Sequence, residues 1–284
     1  MNFWRPGSQA LTKLDIGEPV FFRLKAPYKA IGGFGYFAHF SFLPISMAWE
    51  VYENANGAPT FTAMRERLLR IRERFGMPTD AKQDFQIGCV LLTNATFFSD
   101  DEWVRDPSDF APQIVGGKTY DLSHGEGQRI WQQCLARAGS PQFASRELPI
   151  PGGYGAEITM RPRLGQRSFR IAVLDSYSRR CAATNERTLP ALEAAHIREY
   201  HDVQEHSIQN GISFRADIHK LFDRGYVTVT PDYHFEVSKR IKEEFENGRD
   251  YYALHGTLIR LPERASDRPA AEALGWHNEN RYLG

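Results

Sequence analysis

Apolar and polar positions follow two different periods in the last third of this chain. The run LEAAHI, from Leu192, is apolar and closes on a polar turn, as a short strand does. Residues 198–209 are polar without a sustained period and read as a loop. In NGISFR, Ile212 and Phe214 alternate with Ser213 and Arg215, which predicts a second strand. ADIHKLFDRG then changes to helical spacing, with Ile218, Leu221 and Phe222 on one face and Gly225 as the stop. Strand, loop, strand and helix make a ββα unit.

The rest of the chain supplies further elements. PVFFRLK reads as a strand, followed by a turn at Ala26–Pro27; AIGGFGYFAHFSF and QIGCVLLTNATFF read as two more. Between these, Phe61, Met64, Leu68, Ile71 and Phe75 recur at steps of three and four, an amphipathic helix with Thr60 as N-cap and Gly76 and Pro78 as its stop. GQRIWQQCLARAG is another helix. AGSPQFASRELPIPGGYGAE, rich in Gly, Pro and Ser, has the texture of a linker. GQRSFRIAVLDSYSRRC reads as a helix through Phe169, Val173, Leu174 and Tyr177, leading to a strand-turn at CAATNE. Beyond the ββα unit, YVTVTPDYHFEVS reads as a hairpin around Pro231–Asp232 and IKEEFENG as a short helix. The remaining tail is expected to pack on the same domain. Interleaved strands and helices of this kind indicate α+β, divided as an amino-terminal domain over 1–140, a linker over 141–164 and a second domain over 165–284.

Composition narrows the class. At 284 residues, 42% hydrophobic and 25% charged, the chain has the makeup of a soluble globular protein with room for two domains. No long apolar run indicates a signal peptide or a membrane span. Cys89, Cys134 and Cys181 form no CxxC pair, which argues against a zinc ribbon and fits a reducing, cytoplasmic compartment. Lys and Arg (35) balance Asp and Glu (35), but the balance is uneven locally. Residues 161–170 carry Arg161, Arg163, Arg167 and Arg170 with no acid, a stretch suited to holding phosphates. The helix over 60–75 carries five arginines against two glutamates and reads as a solvated face.

The ββα segment carries the chemistry. His219 and Asp223, four apart on one helix, occupy neighbouring positions and can share one divalent cation. His196 ends the first strand; an imidazole titrates near neutrality and can take a proton from water as general base. Asn210 begins the second strand and is expected to turn its side-chain carbonyl to the His196 ring, fixing its tautomer. His201 and His206 fall in the loop and read as loop-fixing or solvated.

The order His196, Asn210, His219 resembles the HNH (ββα-metal) endonuclease family, and the wider chain is similar to restriction endonucleases with a carboxy-terminal HNH domain. That likeness is carried by the segments Leu189–Gly225, NGISFRADIHKLFDRGYVTVTP, FFRLKAPYKAIGGFGYF, GKTYDLSHGEG and RPRLGQRSFR. The resemblance implies a metal-dependent DNA endonuclease that leaves 5′-phosphate and 3′-hydroxyl ends on double-stranded DNA. Many HNH sites carry a metal-binding Asp or His just before the base; here that position is Ala195, and Glu193, two residues earlier on the same strand face, is the substitute. A site with so few protein ligands suits Mg²⁺ or Mn²⁺, with Zn²⁺ as the alternative. The amino-terminal region looks similar to the small barrels of the PUA superfamily, which include readers of modified bases. Such a reader needs stacking aromatics, for which Phe34, Tyr36, Phe37, Trp49 and Trp103 are available, although most aromatics in such a domain are core. The implied biology is restriction, directed at modified DNA; a repair or toxin nuclease, an RNA-directed enzyme and a non-catalytic nucleic-acid-binding protein are the rivals. Double-strand cutting by one site favours a homodimer or two sequential nicks.

Overall fold

Five amino-terminal strands pair antiparallel: β1 (Asn2–Arg5), β2 (Pro19–Arg23), β3 (Ala30–Pro44), β4 (Gln86–Phe97) and β5 (Val104–Arg105). The computed structural model describes residues 1–6, 14–79, 84–111, 113–114, 117–139, 165–198 and 207–284. The strand order is β1-β4-β3-β2, with β5 against the start of β3. Among the described residues β1 and β2 form no ladder with each other, and a closed PUA-like barrel is not shown. Register shifts at Phe34/Tyr36 and Phe37/His39 break the long β3 into differently aimed stretches. The two ends of the sheet approach through side chains instead, with Phe3 stacked on Phe22 at 5.4 Å. The glycine run in β3 serves strand packing: a Cβ at Gly33 would lie 2.2 Å from the Thr96 carbonyl oxygen.

Helix α1 (Ile45–Tyr52) continues from β3, and α2 (Phe61–Arg74) forms where the apolar stripe predicts it. The Thr60 hydroxyl accepts from the Ala63 N–H at 3.1 Å, and Met64 and Leu68 are fully buried. Phe75, the last member of the stripe, lies just past the helix and is exposed. Helix α3 (Gly125–Ala138) buries Ile130 and Cys134 in a cluster with Ile31, Phe34 and Val104. Phe34 and Phe37 are core, and Trp49 packs on Phe61.

The expected linker lies outside the described residues. After it, α4 (Gln166–Ser176) packs on β3 and β4 with one side and on the second half of the chain with another. It ends before the sequence suggests, because Ser178 and Arg179 adopt left-handed backbone (φ 54° and 53°). CAATNE is a turn and not a strand. Buried side chains of α1, α2, β3 and β4 are continuous, through Phe169, Val173 and Tyr177, with those of the ββα unit.

Beyond that unit, β8 (Val227–Val229) and β9 (Phe235–Val237) form the expected hairpin, followed by α6 (Arg240–Phe245) and α7 (Arg249–Tyr252). The tail packs back as α8 (Ala271–Asn280), burying Leu274 and His277. No described helix is long and apolar enough to cross a membrane.

Candidate active site

Strands β6 (Leu192–His196) and β7 (Gly211–Arg215) pair antiparallel, setting Glu193 opposite Phe214, Ala195 opposite Ile212 and His196 opposite Gly211. Helix α5 (Ala216–Asp223) follows directly. Side chains alternate across a strand, so the hairpin has two working faces. Ala195, Ile212 and Phe214 bury against α5, where Phe214 meets Phe222 at 5.5 Å, and Glu193 shares this face. The other face meets α4.

On the α5 side, Nδ1 of His219 lies 2.7 Å from Oε2 of Glu193, and its Nε2 lies 3.3 Å from Oδ2 of Asp223. Side-chain exposure is 20% for His219 against 41% and 56% for the two acids, so the imidazole is the inner member and the carboxylates reach water. Burial draws the imidazole's pKa down, but the hydrogen bonds to Asp223 and Glu193 outweigh burial and hold it above the ordinary histidine value. Glu193, His219 and Asp223 are thus brought together. The two acids sit on opposite edges of one ring, however, and among the described residues no three such side chains make a ready cation cage. An imidazole nitrogen beside a hydrated carboxylate is a donor set that fits a divalent ion retaining several waters.

His196 faces the other way. Its ring stacks on Phe169 of α4, with centroids 4.0 Å apart and planes 13° from parallel. Asn210 is buried, and its side chain is directed to the main chain of Arg198: Nδ2 donates to the Arg198 carbonyl and Oδ1 accepts from the Arg198 N–H, both at 2.9 Å. The Asn210 carbonyl also accepts from the Ile197 N–H at 3.0 Å. Asn210 therefore clamps the chain where it leaves β6, in place of the expected bond from its side-chain carbonyl to the His196 ring.

Two of the four arginines proposed for phosphate contact bind α1 and its end. Arg167 donates to the Tyr52 carbonyl at 3.0 Å and lies 3.7 Å from Glu53, and Arg170 pairs with Glu50 at 2.8 Å. Arg161, Arg163, His201 and His206 lie outside the described residues.

Two further polar clusters join elements far apart in the sequence. His39 of β3 meets Asp175 of α4 at 2.9 Å, and Arg179 bonds both Asp175 (2.8 Å) and the Ser41 hydroxyl (3.0 Å). Burial raises the Asp175 pKa, but His39 and Arg179 together bring it below the usual carboxylate value. The second cluster is His277, stacked on Phe222 at 3.8 Å and bonded to Thr228 (2.8 Å) and the Phe222 carbonyl (3.2 Å). Its burial lowers its pKa to about 4. Separations of 136 and 49 residues leave no local signal for either.

Residues 181–230 match the HNH endonuclease family, a stretch that begins at Cys181 and spans the ββα unit and β8. That match suggests nuclease activity and a nucleic-acid substrate. No curated protein matches the chain.

Proposed function

We propose that this chain is a metal-dependent DNA endonuclease that hydrolyses phosphodiester bonds. The observation that carries the reading is the Glu193–His219–Asp223 cluster, built on a ββα unit within the segment matching the HNH endonuclease family. In this reading His219 and Asp223 hold one divalent ion. Glu193, on the opposite ring nitrogen, fixes the tautomer and direction of His219, as outer carboxylates do for metal-binding histidines. When bound, the ion supplies charge stabilisation to the phosphate and the leaving oxygen. His196 takes the proton of the attacking water, and Asn210 holds the strand exit that carries His196.

His196 and His219 project from opposite faces of the hairpin, which constrains how DNA can lie. Among the described residues β6 ladders with one strand, β7, and its other edge is the one proposed here for DNA. A DNA strand laid along that edge is within reach of side chains from both faces. This is the docking mode we propose.

Restriction is the biological role we propose, with the amino-terminal sheet selecting the DNA and modified bases as the discriminating feature. The match of residues 181–230 to the HNH endonuclease family supports the nuclease part of this role. Digestion of matched methylated, hydroxymethylated and plain duplexes, with an RNA duplex alongside, tests it: preference for a modified duplex is expected, and equal cutting of all DNA removes the modified-base role.

One observation favours a second reading, a non-catalytic nucleic-acid-binding protein. His196 packs on α4, away from the His219 cluster. Tight duplex binding with no nicking under Mg²⁺ or Mn²⁺ would select that reading.

A further inference from the structure

The His196 ring lies face to face with Phe169, a fully buried residue outside the segment that matches the family. Two further observations show that the place for this stack is built. Gly211, opposite His196 in the ladder, leaves room for it: a Cβ there would lie 2.8 Å from Cζ of Phe169 and 2.4 Å from Cγ2 of Val173. The neighbours of Phe169 in sequence are tied to the amino-terminal half. Arg167 donates to the Tyr52 carbonyl (3.0 Å), the Ser168 and Tyr52 hydroxyls meet at 3.2 Å, and Arg170 pairs with Glu50 (2.8 Å).

We propose that Phe169 is a positioning residue for the proposed hydrolysis, setting the plane of the His196 imidazole from a helix anchored in the amino-terminal half. This rests on the reading of His196 as general base. The outer torsion of a histidine is soft, with broad minima, whereas a proton acceptor must be held within roughly 10–20° of its working direction. Turning the imidazole away from Phe169 gives up a parallel ring contact, so the stack narrows that torsion. The amino-terminal half thereby bears on the chemistry as well as on the choice of DNA.

The test uses the full chain with isotope-labelled histidine. The His196 ring signals are assigned by their loss in His196→Gln. In the wild type they are expected upfield of an exposed histidine, in the ring current of Phe169, and they return to ordinary positions in Phe169→Leu and Phe169→Met. In both variants kcat for plasmid nicking falls roughly 10- to 100-fold, the scale for a misdirected catalytic group, with KM for DNA and Mn²⁺ affinity unchanged. An unstacked His196 signal in the wild type, or wild-type kcat in both variants, overturns the assignment. A wild type with the stacked signal that nicks no DNA under Mg²⁺ or Mn²⁺ removes the nuclease reading, and with it the catalytic part of this one, so the two failures are told apart.

Discussion

Glu193 and His219 stand 26 residues apart in sequence, and their side chains meet at 2.7 Å between Oε2 and Nδ1. The contact joins β6 to α5 across the face of the hairpin and leaves Nε2 of the same ring toward Asp223 at 3.3 Å. One imidazole is held at one edge and presented at the other.

Replacing Glu193 therefore tests orientation separately from ligation. Glu193→Gln keeps a hydrogen-bond partner and Glu193→Ala removes it. Mn²⁺ affinity by calorimetric titration is expected to fall about 10- to 100-fold in the alanine variant, as for other outer-shell partners, and less in the glutamine variant. Unchanged affinity in Glu193→Ala would contradict the assigned role.

Asn210 holds the exit of β6 by two side-chain bonds to Arg198. Asn210→Ala leaves both main-chain groups of Arg198 without these partners, and roughly 1–3 kcal/mol of stability is expected to be lost. Denaturant unfolding measures the loss, and amide exchange at Ile197 and Arg198 localises it. An unaltered midpoint with unaltered exchange would show that the clamp contributes nothing.

His277 gives the fold a defined acid sensitivity. Its imidazole titrates near 4 when folded and near 6.5 when unfolded, so between those values the unfolded chain binds the extra proton. Stability from the neutral, buried ring is complete above about pH 6.5 and is lost as pH falls to about 4. Across that window the shift amounts to about 3 kcal/mol. His277→Gln is expected to remove this contribution, so that the stability difference between wild type and variant changes by about 3 kcal/mol when unfolding is measured from pH 7 to 4. Parallel curves would place the ring in a less buried state.

The ββα unit was legible because its signals are local. Alternation around Ile212 and Phe214, the step to helical spacing at Ile218 and the stop at Gly225 each act over a few residues, and all three elements formed there. The i+4 spacing placed Asp223 beside His219 for the same reason. Glu193 depended on the pairing of β6 with the rest of the unit, and strand-face alternation from Ala195 was enough to select it, though not to say which ring nitrogen it meets. The partners of His196, His39 and His277 come from packing between distant elements: α4 on the hairpin, α4 on β3, and α8 on β8. No short pattern encodes such contacts. Three of the five amino-terminal strands were legible as apolar runs, whereas the short β1 and β5 were not, and whether the sheet's ends close into a barrel depends on register, which bulges in β3 reset.

The His196 and His219 sides of the hairpin are proposed to act on one phosphodiester. Supercoiled-plasmid nicking under Mg²⁺ and Mn²⁺, run on the wild type, His196→Ala and His219→Ala with metal binding measured in parallel, tests it most directly. Metal-dependent nicking by the wild type is expected. In His196→Ala, metal stays bound while the rate drops roughly 10²- to 10⁴-fold, the scale of general acid–base groups; in His219→Ala, metal affinity and nicking fall together. Equal nicking by wild type and His196→Ala, or no nicking by a wild type shown to bind DNA, would contradict it.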